Sequence, residues 1–147
     1  YEKNPKATFT NYMDRVCEDA CMEFFLNFKP ENGDKYINFE TNPLGTINSS
    51  AGEGRHGRIP VKEFMGSVPE VKATIEQDYW QVEYCLDLER LEKVFGKIDT
   101  SKGALYRGNF YKCGDKCAHE HYITWKKIER DQPDYHCPDQ FGELMMD

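Results

Sequence analysis

The segment YKCGDKCAHEHYITW, residues 111–125, concentrates side chains that could bind a metal ion. Four of its residues are acceptable zinc ligands, namely Cys113, Cys117, His119 and His121. The spacing argues against zinc, because structural sites place two ligand pairs on separate elements around the ion. Histidines two positions apart in an extended segment would point to opposite faces. The sequence therefore disfavours zinc here and leaves the metal ligands of the chain, if any, unknown.

The cysteines also fail to match a redox motif. Cys17 and Cys21, like Cys113 and Cys117, enclose three residues, whereas thioredoxin-type sites enclose two at the start of a helix. A disulfide within either pair, or between Cys117 and Cys137, stays open if the protein is exported. No serine-hydrolase, phosphate-loop or zinc-protease motif occurs. Glycoside hydrolysis needs two carboxylates across a cleft, and no sequence rule selects such a pair, so an enzyme is disfavoured.

Length and charge restrict the class of protein. The chain has 147 residues, which suits a single domain over 1–147. A formal net charge of −7 disfavours a nucleic-acid partner, because such partners need a basic surface. No apolar run reaches the roughly 18 residues of a membrane span, so we expect no membrane partner. Because the chain starts with Tyr1 rather than Met, we expect it to be a fragment of a longer protein.

The pattern of apolar residues predicts a β-fold. Alternation predicts strands over 20–28 and 36–41, and the KPENGDK between them is typical of a turn, so the two form an antiparallel hairpin. The same criteria predict four further strands, over 71–77, 79–86, 104–112 and 141–146. DLERLEKVFG predicts one helix, which Asp87 caps and Gly96 ends. The predicted fold is all-β, an antiparallel β-sandwich with one short helix.

Alternation also assigns the two faces of these strands. We expect Met22 and Phe24 to point inward from the first strand, and Tyr106 and Phe110 from the strand over 104–112. The outward residues are mostly polar: Glu23, Asn38, Glu40, Gln81, Glu83, Arg107, Asn109 and Tyr111. If the strands lie in one sheet, this polar face could hydrogen-bond the hydroxyls of a sugar. The alternative is the ordinary solvated side of a sheet.

Four segments carry a resemblance to a known family. DRVCEDACMEFFLNF, YINFETNPLGTINSS, GNFYKCGD and PDYHCPDQFGEL, between residues 14 and 144, resemble in the same order the carbohydrate-binding module family 9-like domains. The resemblance implies a bacterial β-sandwich that binds soluble sugars or the ends of plant polysaccharides such as xylan or cellulose, without catalysis. It implies structural calcium, although no D-x-D-x-D-type loop locates such a site. It also implies N-terminal strands that we expect this chain to lack. Either a longer parent chain supplies them, which we favour, or the chain is a divergent, shortened version of the domain.

The resemblance assigns a binding site residue by residue. In the family, two aromatic residues sandwich the sugar, while a glutamate, an arginine and an amide hydrogen-bond its hydroxyls. The glutamate matches Glu23, the amide falls near Asn109, and the second aromatic matches Tyr135. Two positions depart from the family, because Cys17 stands where the first aromatic is expected and Glu40 where the arginine is expected.

Two further aromatics could replace the missing one. Tyr111 and Trp125 are candidates, although Trp125 could equally be a core residue. The predicted carbohydrate-binding residues are therefore Glu23, Glu40, Asn109, Tyr111, Trp125, Tyr135 and His136. A basic stretch with Arg55, His56 and Arg58 could meet an acidic sugar, but such loops more often form surface ion pairs.

Three functions follow from these observations. The favoured one is a non-catalytic domain that binds an oligosaccharide or polysaccharide, with a catalytic domain elsewhere in the parent chain. The alternatives are a metal- or disulfide-stabilised structural or interaction domain without a sugar ligand and a divergent glycoside-processing enzyme. We expect a secreted or cell-surface location, while the residues leave a cytoplasmic one open.

Overall fold

In a computed structural model, which describes residues 4–147, the chain forms nine strands, two α-helices and three 3-10 turns. The strands are β1 (Cys21–Asn27), β2 (Tyr36–Thr41), β3 (Ile47–Gly52), β4 (Ile59–Pro60), β5 (Lys72–Ile75), β6 (Trp80–Glu83), β7 (Leu105–Cys113), β8 (Tyr122–Thr124) and β9 (Gly142–Met145). The helices are α1 (Val61–Met65) and α2 (Leu88–Phe95), and the 3-10 turns span Val16–Glu18, Pro30–Asn32 and Pro138–Gln140. Within residues 4–147, no helix has the length and apolar character required to cross a membrane.

Seven strands form one antiparallel sheet in the order β4-β3-β2-β1-β7-β8. The short strands β8 and β9 share the edge of β7 that faces away from β1. The predicted hairpin is confirmed as β1–β2, and the other predicted strands as β5, β6, β7 and β9. β5 and β6 pair only with each other in the described part, as a two-stranded ribbon.

The predicted helix is confirmed as α2. Asp87 Oδ1 accepts a hydrogen bond from the backbone N of Arg90 at 3.2 Å, which satisfies one of the free amides at the helix start. Gly96 ends the helix with a φ of 70°, a conformation that glycine adopts without steric cost. Both α2 and the shorter α1, which the sequence did not predict, contribute to the core on one face of the sheet.

Apolar residues cover both faces of the central strands. On one face Leu26, Ile37 and Phe39 pack with residues of α1 and α2 in the larger core. On the other face there are two smaller clusters: Phe25, Tyr36, Tyr111 and Phe141 form one, and Val16, Cys21 and Cys113 form the other. The fold is therefore an all-β antiparallel sandwich, as the strand pattern predicted.

The polar face is buried, which corrects the expectation of a solvated surface. Glu23 and Glu40 are only 6% and 8% exposed, and Asn109 and Tyr111 are buried as well. The cover comes from the segment before β9, whose Ile128, Tyr135 and Phe141 pack against this face. That segment has no regular apolar period, so the sequence did not reveal it as a layer. The exposed Gln81 and Glu83 lie on the β5–β6 ribbon and do not share the face.

The inward assignment of Met22 and Phe110 is wrong. They are 41% and 43% exposed, and Phe110 stacks on Phe24 with ring centroids 4.6 Å apart. The larger core covers the opposite ends of the two strands, near Leu26 on β1 and Tyr106 on β7. Alternation identifies the face of a strand, but not how far along the strand the covering layer extends.

Candidate functional site

A cavity of about 340 Å³ opens on the face of the sheet that was predicted to be polar. The strands contribute Glu23 from β1, Glu40 from β2 and Cys113 from β7. The remaining lining residues come from connecting segments and the start of β8: Cys17, Arg55, Asp115, Glu120, Tyr122, Gln132, Pro133, Tyr135 and His136. Carboxyl groups and tyrosine rings therefore line one space that is partly open to solvent.

Strand register brings the two central carboxyl groups together. Glu23 lies opposite Glu40 in the β1–β2 pair and opposite Tyr111 in the β1–β7 pair. Directly opposed residues of antiparallel strands project from the same face of the sheet, with Cβ atoms about 4.5–5.5 Å apart. The alternation of β1 and β2 is thus sufficient to place both carboxyl groups beside each other on this face.

Glu40 titrates near neutral pH. Burial raises the pKa of its carboxyl to about 7, while the donor on Asn38 and the nearby charge of Arg58 oppose this shift. Asn38 Nδ2 donates to Glu40 Oε1 at 2.9 Å, and Arg58 Nη2 donates to Asn38 Oδ1 at 2.8 Å. The second carboxyl oxygen of Glu40 accepts no hydrogen bond from residues 4–147, so it is available to a ligand in the cavity.

The surroundings of Glu23 disfavour its charged form. Burial, followed by the proximity of Glu40, raises the pKa of the Glu23 carboxyl well above its ordinary value. Its Oε1 accepts a hydrogen bond from the Cys113 thiol, with a sulfur–oxygen distance of 3.0 Å. A neutral carboxyl can both donate and accept, which suits contact with a hydroxyl group.

Tyr135 is supported by another tyrosine. Its ring stacks on that of Tyr111, with centroids 4.0 Å apart and an interplanar angle of 6°. The Tyr111 hydroxyl donates to the Tyr135 carbonyl at 3.2 Å. Tyr122 meets Tyr135 edge-on, at a centroid distance of 6.5 Å. Tyr111 is therefore the buried support of an aromatic wall, and Tyr135 and Tyr122 line the cavity itself.

His136 and Arg55 complete the rim. His136 Nδ1 lies 2.6 Å from the Tyr36 hydroxyl, and burial together with Arg58 lowers the pKa of its imidazole to about 4. The imidazole is therefore neutral at physiological pH. Arg55 lines the cavity and forms an ion pair with Asp134 at 2.6 Å. Arg58, which belongs to the same basic stretch, instead lies over the Tyr36 ring at 4.0 Å.

Three predicted site residues lie outside the cavity lining, namely Asn109, Trp125 and Tyr111, the buried support of Tyr135. Asn109 is buried, and its side-chain amide donates to the Lys126 carbonyl at 2.9 Å and accepts from the Lys126 amide at 2.8 Å. Trp125 is 56% exposed and packs edge-on against Phe110, with ring centroids 5.9 Å apart. Of the seven predicted residues, the structure brings four together at the cavity: Glu23, Glu40, Tyr135 and His136.

Sequence reasoning missed the contribution of the segment after β7. Asp115, Glu120 and Tyr122 line the cavity because β8 pairs with the end of β7 and folds this segment over the strands. β8 has only three residues, so it offers too short a pattern to be predicted. Tyr122 lies near Tyr135 in the sequence, and the family resemblance assigned Tyr135 to the site. This nearness alone does not predict that the two rings are in contact.

The histidines of the opening segment do not converge with its cysteines on a metal. His121 Nε2 lies 2.6 Å from Lys112 Nζ, and His121 Nδ1 lies 2.7 Å from the His119 carbonyl. Among residues 4–147 the structure forms no disulfide, and so none of those that the sequence left open.

Among residues 4–147, the one convergent group of three or more acidic, thiol or imidazole ligands is Cys21, Glu23 and Cys113. Calcium takes about six to eight oxygen ligands, and two of these three donors are sulfur. The group therefore does not fit the calcium that the family resemblance implies.

The fold and this cavity together define a class of protein. A β-sandwich that lines a small cavity with carboxyl groups and tyrosine rings has the architecture of a ligand-binding module rather than of a scaffold. The chain belongs to carbohydrate-binding family 9, whose family model matches residues 1–146.

A solved structure supports this assignment. The chain is similar to a candidate carbohydrate-binding protein from Bacteroides uniformis, with 29% sequence identity and a TM-score of 0.78. The similarity covers 98% of this chain and 68% of that chain. The comparison with curated proteins gave no significant match.

Proposed function

We propose that the chain is a non-catalytic domain that binds soluble sugars or the ends of plant polysaccharides such as xylan or cellulose. The observation that carries the proposal is the single cavity that joins Glu23, Glu40 and Tyr135 in a family 9 fold. At about 340 Å³ it lies at the small end of the range of about 300–1,000 Å³ for ligand pockets. This size suits a short sugar or a chain end better than the middle of a polymer.

In the proposed complex the lining residues make different contacts with the sugar. The face of Tyr135 that is turned away from Tyr111 stacks on the C–H face of a sugar ring, and Glu23 and Glu40 bind its hydroxyls. The neutral His136 can accept or donate a further hydrogen bond. The stack beneath Tyr135 fixes its ring before the ligand arrives, which reduces the entropy lost on binding.

The position of the two carboxyl groups favours binding over hydrolysis. A glycosidase needs its two carboxyl groups on opposite sides of the scissile bond, about 5–9.5 Å apart. Glu23 and Glu40 project side by side from adjacent strands of one sheet face, so both approach a ligand from the same side. A catalytic domain in the parent chain and a secreted or cell-surface location in a bacterium complete the proposal.

Removal of the Tyr135 ring tests the stacking contact. We expect Tyr135→Ala to weaken the affinity for the best oligosaccharide by about 1–3 kcal/mol, because the buried aromatic face is lost. Calorimetry against xylo-, cello- and manno-oligosaccharides measures this change. Tyr135→Phe keeps the ring and should bind almost as well as the original chain.

Trp125→Ala is the matched control, since Trp125 is an exposed aromatic outside the cavity lining. Its affinity should equal that of the unmodified chain. If Trp125→Ala abolishes binding while Tyr135→Ala does not, the assigned cavity is wrong. If the folded chain gives no heat with any of these sugars, the proposed function itself fails.

A further inference from the structure

Three buried side chains, two of which line the cavity, bring thiol and carboxyl metal donors together. Cys21, Glu23 and Cys113 each offer one ligand atom, and these atoms lie within 4.8 Å of one another. Their exposed fractions are 0%, 6% and 1%. Donors on one tetrahedral zinc ion stand about 3.3–3.8 Å apart, given zinc–ligand distances of about 2.0–2.3 Å. Small rotations of the side chains would therefore bring all three onto one ion.

Regular strands position this cluster. Cys21 and Glu23 are two residues apart on β1 and project from the same face, and Cys21 lies opposite Cys113 of β7. The three Cα atoms thus belong to two paired central strands rather than to loops. A site on such strands is held more rigidly than a loop site, so little ordering is needed when an ion binds.

The cluster contains acidic groups without a cation. Cys113 Sγ contacts Glu23 Oε1 and the Cys17 carbonyl, and Cys21 Sγ contacts the Met22 carbonyl. None of the three metal donors forms a salt bridge or a hydrogen bond with a lysine or arginine of residues 4–147. A divalent ion would supply a positive charge here when the donors lose their protons.

We propose that Cys21, Glu23 and Cys113 form a binding site for a thiophilic divalent cation of the zinc class. Two thiolates and one carboxylate match the ligands that zinc accepts and exclude the all-oxygen shell that calcium prefers. Glu23 and Cys113 line the cavity, so the fourth coordination position would face the space that the sugar enters. Binding replaces the protons of the two thiols and of the Glu23 carboxyl, so up to three protons pass to the buffer.

A disulfide between Cys21 and Cys113 is the competing chemistry, since the two lie opposite each other on paired strands. It would remove the thiol that now donates to Glu23 and leave that buried carboxyl oxygen without this donor. The metal also displaces the Cys113 proton, but it bonds the Glu23 oxygen that a disulfide would leave without this partner, so the position of Glu23 favours the metal.

The test uses the full chain with its thiols reduced. A chelator first removes any bound metal and is then itself removed. We expect calorimetry to show one zinc ion bound per chain. Titration with Co²⁺ should produce the thiolate-to-cobalt charge-transfer absorption and the visible bands of a tetrahedral ion. Cys21→Ser and Cys113→Ser should each weaken zinc binding by more than the about 10–100-fold typical of residues that only orient ligands. Glu23→Gln should weaken it while both sulfur ligands remain.

Cys85→Ser is the matched control, because Cys85 is an exposed thiol away from the cluster. It should leave zinc affinity unchanged, and circular dichroism identifies any variant that fails to fold. The absence of stoichiometric zinc binding and of the cobalt–thiolate band in the folded, reduced original chain would overturn the proposal. A mapped Cys21–Cys113 disulfide in protein purified without reductant would do the same. Because no sugar is present, this outcome does not depend on the proposed carbohydrate binding.

Discussion

Asp19→Ala is expected to lower the free energy of unfolding by about 3–5 kcal/mol, the range for breaking a buried charged network. Asp19 is fully buried, and its carboxylate accepts hydrogen bonds from the Thr8 amide and hydroxyl at 2.7 Å. It also accepts from the Phe9 amide and from Asn42 Nδ2, both at 3.0 Å. Alanine would leave these donors without their acceptor, including the amide of the fully buried Asn42.

The effect should depend on pH. Burial alone would raise the pKa of Asp19, but the hydrogen bonds from Phe9 and Thr8 outweigh it and hold the pKa below its ordinary value. A carboxyl with a lowered folded-state pKa stabilises the fold above its unfolded pKa of about 3.9 and loses this contribution as the pH falls through the folded value. The difference between the original chain and Asp19→Ala should therefore be large at pH 7 and shrink below about pH 4.

Urea unfolding at pH 7 and at pH 3 measures both quantities. The exposed Asp78 provides the matched control, and Asp78→Ala should change stability by no more than about 0.5 kcal/mol. Equal losses for the two variants would contradict the assigned network. Asp19 directly follows the 3-10 turn that carries Cys17, so its loss should also loosen one wall of the cavity.

The elements that the sequence predicted are those with local signals. The β1–β2 hairpin and β7 show clear alternation, and α2 has both its cap and its terminal glycine within ten residues. β3 was missed because INSSAG contains small polar residues instead of an apolar period. Its pairing rests on long-range contacts such as the hydrogen bond from Ser49 Oγ to the Asn38 carbonyl at 2.6 Å. Such contacts leave no pattern within the strand.

The residues of the candidate site could likewise be predicted from the sequence only in part. Glu23 and Glu40 could be placed on one face because register follows from the hairpin. The burial of that face could not be predicted, because Tyr135 and Phe141 reach it from a segment more than 90 residues away in sequence. The family resemblance located Tyr135, whereas Tyr122 depended on the unpredicted β8. Alternation and the resemblance both pointed to Asn109, and only the fold shows that its side chain binds the backbone of Lys126 instead of lining the cavity.

Affinity for the sugar is expected to rise with pH across neutrality. The proposed complex uses the ionised carboxylate of Glu40, and the pKa of this group in the free domain is about 7. Below that value a proton must leave before the carboxylate can accept hydrogen bonds from the ligand. Well below the pKa each pH unit costs a factor of about ten in affinity. Because the carboxyl is already half protonated at pH 7, about 50-fold should be lost between pH 7 and pH 5. Above pH 8 the affinity should be constant.

The direction of this pH dependence follows from the protonation state of Glu40 that the free and the bound domain prefer. The free domain favours the neutral form of Glu40 because burial penalises its charge, whereas the bound domain favours the charged form because ligand hydroxyls donate to it. Proton release therefore accompanies binding at pH 6, and calorimetry in buffers of different ionisation enthalpy detects it. A chelator should be present throughout, so that no metal ion displaces protons from the acidic groups of this region.

Glu40→Gln is the matched variant, since it keeps the shape of the side chain and cannot titrate. Its affinity should be nearly independent of pH and lower than that of the original chain at pH 8, where the charge-assisted hydrogen bonds are lost. The neutral His136 does not account for such a profile, because the pKa of its imidazole is about 4. A pH-independent affinity of the original chain between pH 5 and pH 8 would exclude the Glu40 carboxylate as a ligand contact. Glu23, which lies opposite Glu40 and also lines the cavity, would then be the carboxyl that binds the sugar.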